Sequence, residues 1–248
     1  MDLAKEAAKV KFPYNRSMCG RFTMAMDAEG IQMALQLGQM PADWRRRYNI
    51  APSQPIPCVT DPKLRNVVML RWGLVPSWAK EASIGYKMIN ARSETAQEKP
   101  SFRQAFKQRR CLILADGFYE WDKLSGRAKR PYYFTLRGGA PFAFAGLWES
   151  WQPREGPRDQ APLLTATILT TQANSLVGQY HERMPVMLSG DKLWDWLLET
   201  DPAALQALLR PYPAEEMQAW EVSNQVNRPA EDEPSLIRKS ETLFPADE

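Results

Sequence analysis

Two periods of apolar and polar residues alternate along this chain, and they predict different elements. Over residues 27–37 the apolar positions Ile31, Ala34, Leu35 and Leu37 recur at helical spacing, which predicts a short amphipathic helix. Tyr48-Asn49-Ile50-Ala51-Pro52 then runs into Pro55 and Pro57, which disfavour a helix and predict extended chain, and Asp61-Pro62 marks a turn. Residues 66–73, rich in Val, Met, Leu and Trp and too short for most helices, predict a strand leading into a Pro76-Ser77-Trp78 loop. Further strands are predicted over 111–115, 132–136, 142–148 and 163–170, where β-branched or aromatic runs are separated by Gly, Pro or charged turns. Helical spacing returns over 102–108, 191–198 and 202–209. The sum is a mixed α+β chain with a β-rich centre and no internal repeat. The low-order candidates are the two ends and the loop 152–160.

Composition narrows this picture. A chain of 248 residues, 44% hydrophobic and 25% charged, fits one soluble globular domain, and no apolar run reaches the roughly 20 residues of a membrane span. A net charge of +3 is too small to announce a polyanion partner, but Glu231, Asp232, Glu233, Glu241, Asp247 and Glu248 offset a more basic body. Residues 229–248 therefore read as an acidic, flexible tail. Three cysteines without a CxxC fit a reducing, bacterial-type cytoplasm, and a single histidine argues against a zinc site, so neither metal nor cofactor is expected. Residues 1–17 lack the apolar core of a signal peptide and read as an extension absent from, or removed in, the mature protein.

Four segments place reactive or hydrogen-bonding side chains among turn residues: Met18-Cys19-Gly20-Arg21-Phe22, Ile89-Asn90-Ala91-Arg92-Ser93-Glu94-Thr95, Asp116-Gly117-Phe118-Tyr119-Glu120-Trp121 and His181-Glu182-Arg183-Met184-Pro185. In this order, with Tyr48-Asn49-Ile50-Ala51-Pro52 and Arg71-Trp72-Gly73-Leu74-Val75-Pro76 between them, they resemble the SOS response-associated peptidase (SRAP) family. The resemblance runs from about Met18 to at least Val226, which gives a domain over residues 18–228. It implies a single α+β domain with a barrel-like antiparallel β core, peripheral helices and a positively charged groove for single-stranded DNA. The implied partner is single-stranded DNA containing abasic sites, met by a nucleoid-associated monomer; replication or repair proteins are not specified by the sequence.

Cys19 carries the central chemistry. Family members begin at the Met-Cys-Gly-Arg segment, whereas this chain carries 17 residues before it. Either translation begins at Met18, a methionine readily excised before a small residue, or the extension is cut off. Both routes expose an aminothiol whose α-amine, with a pKa of about 7.7–8.0, attacks an aldehyde to give an imine. The thiol then closes a thiazolidine, which resists hydrolysis. An internal Cys19 would be only a thiol, and Cys58 and Cys111 read as small core residues.

Glu120 stands among Phe118, Tyr119 and Trp121, an environment suited to a general acid or base; the alternative is a solvated strand-end carboxylate. The resemblance assigns it opening of the abasic sugar and proton transfer during imine formation. His181, the one side chain whose unperturbed pKa lies near neutrality, is implied to work opposite it, in ring opening and in reversal, with a core histidine as the alternative. Asn90 suits orientation of the sugar hydroxyl or the Cys19 amine, or else a plain turn. Arg21 and Arg92 are candidates for phosphate contacts, and Trp72, Trp78 and Trp121 for base stacking, with salt bridges and core packing as the respective alternatives. Arg45-Arg46-Arg47 and Arg109-Arg110 would widen the track unless they are plain surface. A weak lyase activity could accompany capture, because an imine at C1′ acidifies the neighbouring proton and permits β-elimination. Two other functions compete: an autocatalytic cysteine peptidase using Cys19, His181 or Glu120 and Asn90, and a noncovalent single-strand binding module.

Overall fold

The ten-residue strands β9 (Phe142–Trp151) and β10 (Leu163–Gln172) pair antiparallel and form the spine of the fold. In this computed structural model, which describes residues 20–122, 130–153 and 161–240, the ladder runs from β9 to β6 (Arg110–Ala115), then to β3 (Pro55–Val59) and β4 (Val67–Trp72). From β4 it returns to β10 through a parallel pairing, Thr165 beside Arg71 and Ala166 beside Trp72. Five strands thus close a barrel that has no free edge around its circumference. The expected barrel is present, and its one parallel seam makes it mixed. Pro55 and Pro57 fit inside it because the β3–β6 ladder is confined to Cys58 and Val59, beyond the prolines that have no N–H to give.

A second sheet packs on this barrel in the order β13 (Met217–Glu221), β8 (Pro131–Leu136), β7 (Gly117–Trp121), β1 (Arg21–Met24) and β2 (Arg47–Ile50). Its inner row, Phe22, Phe118 and Phe134, is fully buried, with Phe22 edge-on to Trp72 and Phe144 and Phe118 stacked on Phe134 at 5.1 Å. Alternation along β1 and β7 is masked because both faces of this sheet are covered, so Arg21-Phe22 and the Gly-Phe-Tyr-Glu-Trp segment lie on strands instead of the expected turns. Short strands β5 (Asn90–Arg92), β11 (Arg183–Pro185) and β12 (Met187–Leu188) extend the barrel sheet. The predicted helices form close to their expected bounds: α1 (Ala28–Leu35), α2 (Arg103–Gln108), α3 (Lys192–Leu198) and α4 (Pro202–Leu208). Asp27 starts α1 by accepting a 2.8 Å bond from the Gly30 amide, and Asp201 does the same for α4 with Ala204.

The outer face of the second sheet is covered by the chain that follows β13, which corrects the reading of residues 229–248 as a tail. Asp232 accepts from the Tyr48 and Asn49 amides at 2.5 and 2.9 Å and pairs with Arg47. Leu236 is buried, and the Trp220 indole donates to the Ile237 carbonyl at 2.9 Å. Acidic composition suggested solvation, but these carboxylates and carbonyls are partners of the sheet through residue 240. The rest of the expected tail, 241–248, the extension 1–17, and most of the 152–160 loop lie outside the described residues.

Candidate functional site

Arg21 pairs with Tyr119 across the β1–β7 ladder, so the chain enters β1 at the end of β7 where Glu120 stands. Gly20 is the first described residue; Cys19 lies outside the described residues. Glu120 is 1% exposed and shares the barrel-side face of β7 with Phe118, since side chains alternate along a strand. Directly opposite it on β8 is Tyr132. The Tyr132 ring meets Tyr180 at 4.2 Å, and Tyr180 also packs edge-on to Phe134 at 5.4 Å. His181 follows Tyr180 in the chain.

The histidine segment is built from the 3-10 turn Val177–Gln179, whose Val177 carbonyl accepts from the amides of both Tyr180 and His181 at 2.9 and 3.0 Å. Asn174 holds the turn by accepting from the Leu176 and Val177 amides. The His181 imidazole accepts at Nδ1 from the Arg183 amide at 3.1 Å, so its neutral form carries the proton on Nε2.

Asn90 and Arg92 lie on the same face of β5, which runs parallel to β10 with Asn90 beside Ile168 and Arg92 beside Thr170. The β4–β5 connection is pinned by a close backbone approach: a Cβ on Gly73, at φ 121°, would stand 2.5 Å from the Gly85 carbonyl oxygen. The Arg183 guanidinium joins this strand to the histidine segment. It grips Glu94 with two bonds of 2.9 and 2.8 Å and donates to the Thr170 carbonyl at 2.6 Å. Partial burial pushes the Glu94 carboxyl up, but the Arg183 hydrogen bonds and the Arg183 and Arg92 charges outweigh it and hold the group below its ordinary value. Two contacts link the segments that carry these residues: Tyr180 packs on Tyr132, which stands opposite Glu120, and Arg183 grips Glu94, four residues after Asn90.

The other candidates divide. Arg92 is exposed, Trp78 is 49% exposed on the loop after β4, and Trp121 is half-buried with its indole N–H on Asn227 Oδ1 at 2.7 Å. Trp72 is not a stacking face: it is fully buried, and its indole donates to the Ile89 carbonyl at 2.9 Å. Arg21 lies on the opposite face of the sheet from Glu120, donating to Asn49 Oδ1 at 2.8 Å and to the Val226 carbonyl at 2.5 Å. Its guanidinium anchors the C-terminal segment, an alternative use to the expected phosphate contact. The basic runs are also mostly engaged: Arg46 with Asp27, Arg47 with Asp232, Arg109 with Glu149, and Arg110 with the Trp196 and Glu199 carbonyls at the end of α3. Sequence reasoning gave no role to Asn49. Fully buried, it donates from Nδ2 to the Val226, Arg228 and Glu231 carbonyls at 3.2, 3.0 and 2.8 Å. The available signal was its place in the Tyr48–Pro52 segment, polar among apolar neighbours.

A family model described as SOS response associated peptidase (SRAP) matches residues 18–229. The chain belongs to this family. Among SRAP relatives, the abasic site processing protein YoqW of Bacillus subtilis is 45% identical over 225 residues, covering 89% of this chain and 99% of YoqW. The abasic site processing protein HMCES of Gallus gallus is 31% identical over 263 residues, covering 89% of this chain and 77% of that protein. The SRAP chain is also similar to a solved protein from Bacteroides thetaiotaomicron, with a TM-score of 0.79 and 26% identity over 90% of this chain and all of that one. Among the described residues of this SRAP chain no helix is long and apolar enough to cross a membrane.

Proposed function

We propose that this protein processes abasic sites in single-stranded DNA by capturing them covalently, with Cys19 as the N-terminal residue of the active form. The observation that supports the reading is the packing of Tyr180, the residue before His181, on Tyr132, which stands opposite Glu120 on β7, the strand paired with the start of β1 from which Gly20 leads back to Cys19. The names of the relatives, abasic site processing proteins, support the choice of lesion.

An abasic deoxyribose rests mainly as a closed hemiacetal, so capture begins with ring opening. Glu120 accepts the proton of the C1′ hydroxyl while His181 Nε2–H gives a proton to the ring oxygen, and the C1′–O4′ bond breaks to leave an aldehyde. The imidazole tautomer set by the Arg183 amide suits this donor role. The Cys19 amine then adds to the aldehyde carbon, and loss of one water gives the imine, with Asn90 orienting the amine or the sugar hydroxyl. Addition of the Cys19 sulfur to the imine carbon, its proton passing to nitrogen, closes the thiazolidine. Arg92 holds a flanking phosphate, and Trp78 and Trp121 offer faces to unpaired bases.

This chemistry requires a free α-amine at Cys19, supplied by a start at Met18 followed by methionine removal, or by a cut before Cys19. A self-cleaving activity that uses the same residues is in this reading a maturation step. The test is to incubate the chain beginning at Cys19 with abasic single-stranded DNA and run denaturing gels. A band that survives boiling in wild type and is missing in Cys19→Ala supports capture; noncovalent retention that is equal in both supports a simple binding module and overturns it.

A further inference from the structure

We propose that the cleft between α1, α3 and the chain leading into β13 docks a segment of another protein, one with an apolar helical face flanked by lysine or arginine. The proposal goes beyond the capture reaction and does not depend on it.

The cleft, of about 580 Å³, opens at the end of β8 where Leu136 stands. Leu35 of α1, Leu193 of α3 and Tyr212 are its buried walls. Apolar side chains scattered over a surface need no explanation, but a gathering of them marks an interaction site. Among the described residues, the three most exposed large apolar side chains are Met33 at 73%, Leu64 at 63% and Leu198 at 58%. All three belong to segments that border this cleft. Met33 precedes Ala34, a lining residue, on α1. Leu64 precedes Arg65, whose guanidinium lies 4.0 Å from the Trp194 ring in the cleft wall and donates to Gln36 at 3.3 Å. Leu198 stands one turn beyond Trp194 on the same face of α3.

The rim selects the partner. Asp191, Glu215 and Glu216 line the cleft and are exposed. Against them stands one lining cation among the described residues, Arg137, which donates to the Glu215 carbonyl at 2.7 Å. Basic residues beside an apolar face meet these carboxylates, whereas the phosphates of a nucleic acid are repelled. A two-fold contact with a second copy would set the same patch against itself, carboxylate facing carboxylate. A short amphipathic helix fits such a groove by laying its apolar face inward. The candidate site lies elsewhere on the sheet: Tyr132, opposite Glu120, is four positions back from Leu136, about 13 Å along β8. A docked partner therefore leaves that site open.

The test titrates the chain beginning at Cys19 into a fluorescein-labelled peptide of leucine and lysine, with leucine at helical spacing, and reads fluorescence anisotropy. We expect saturable binding, and none to the same peptide with glutamate in place of lysine. Met33→Ser combined with Leu198→Ser should weaken binding on the order of 10-fold, and Asp191→Lys combined with Glu215→Lys should do the same, both with an unchanged urea midpoint. Leu164→Ser removes an exposed apolar side chain opposite Ser150, at the far end of β9 from the cleft, and should bind as wild type. Absence of saturable binding, equal binding of the glutamate peptide, or an equal loss in Leu164→Ser overturns the proposal. A chain beginning at Met1 that no longer binds makes residues 1–17 the occupant, and a dimer that the cleft variants dissociate makes it a second copy; either result overturns the assignment to another protein. Should the serine variants lower the urea midpoint, the lysine variants decide alone, and binding they leave unchanged overturns the proposal.

Discussion

Replacing Asn49 tests whether the C-terminal segment is a working part of the fold. Asn49 is fully buried, accepts from Arg21 at 2.8 Å and donates to three carbonyls of the segment, Val226, Arg228 and Glu231. Asn49→Ala removes these bonds and leaves a guanidinium and several carbonyls short of a partner. The two Nδ2 hydrogens shared among these carbonyls count as two neutral bonds, so at about 1 kcal/mol for each and about 1.5–3 kcal/mol for the one from the charged guanidinium, the loss is about 4 kcal/mol. At about 2–4 °C per kcal/mol for a chain of this size, that lowers Tm by about 10 °C. Asn49→Asp has nearly the same shape but turns a carboxylate oxygen toward three carbonyl oxygens, so it must cost at least as much as alanine. Urea unfolding followed by tryptophan fluorescence measures both. An Asn49→Asp protein within about 1 kcal/mol of wild type would refute the hub.

Trp72→Ala should destabilise by about 3–5 kcal/mol as a cavity in a closed barrel, whereas Trp78→Ala, at a half-exposed ring, should leave the urea midpoint unchanged and weaken retention of single-stranded DNA. Burial, followed by a hydrogen bond with Cys111, pushes the Cys58 thiol well above its ordinary range, so native protein at mildly alkaline pH should show no alkylation at Cys58 or Cys111 by mass mapping, with both labelled once urea unfolds the chain. Glu94→Gln should cost about 1 kcal/mol at neutral pH, a value reduced for the half-exposed carboxylate. Because the folded Glu94 carboxyl lies below its unfolded value, this advantage of wild type is present above the ordinary carboxylate range and vanishes as pH falls through the folded value. Paired urea titrations across acid pH read the difference directly, and a gap that persists in acid would contradict the assignment.

Much of the scaffold was legible because its longer elements obey simple periods. Ile31 and Leu35 mark α1, and the apolar runs ending at Trp72, Ala115 and Leu136 mark β4, β6 and β8. The short strands that carry the site were not: β1, β5 and β11 have three or four residues each, too few for alternation to register, and β7 is covered on both faces. Charge misled in the same physical way at two places. Arg21 and Asp232 look like surface ions in one dimension, but each meets a partner about two hundred positions away, at Val226 and at Tyr48 and Asn49. Trp72 and Trp78, six residues apart, have opposite fates because the strand ends between them. Asn90, Glu120 and His181 were recognisable as chemistry-bearing residue types, while the contacts that link their segments, Tyr180 on Tyr132 and Arg183 on Glu94, required the fold.

The covalent bond at Cys19 is tested most directly by intact mass spectrometry of the chain beginning at that residue, after reaction with an abasic single strand and without any reducing agent. Capture as a thiazolidine predicts an adduct equal to protein plus DNA less one water, mapped by peptide fragmentation to Cys19 through both nitrogen and sulfur. An adduct of the same mass and persistence on a chain whose Cys19 amine is blocked, or its absence from the free-amine chain, would contradict the account.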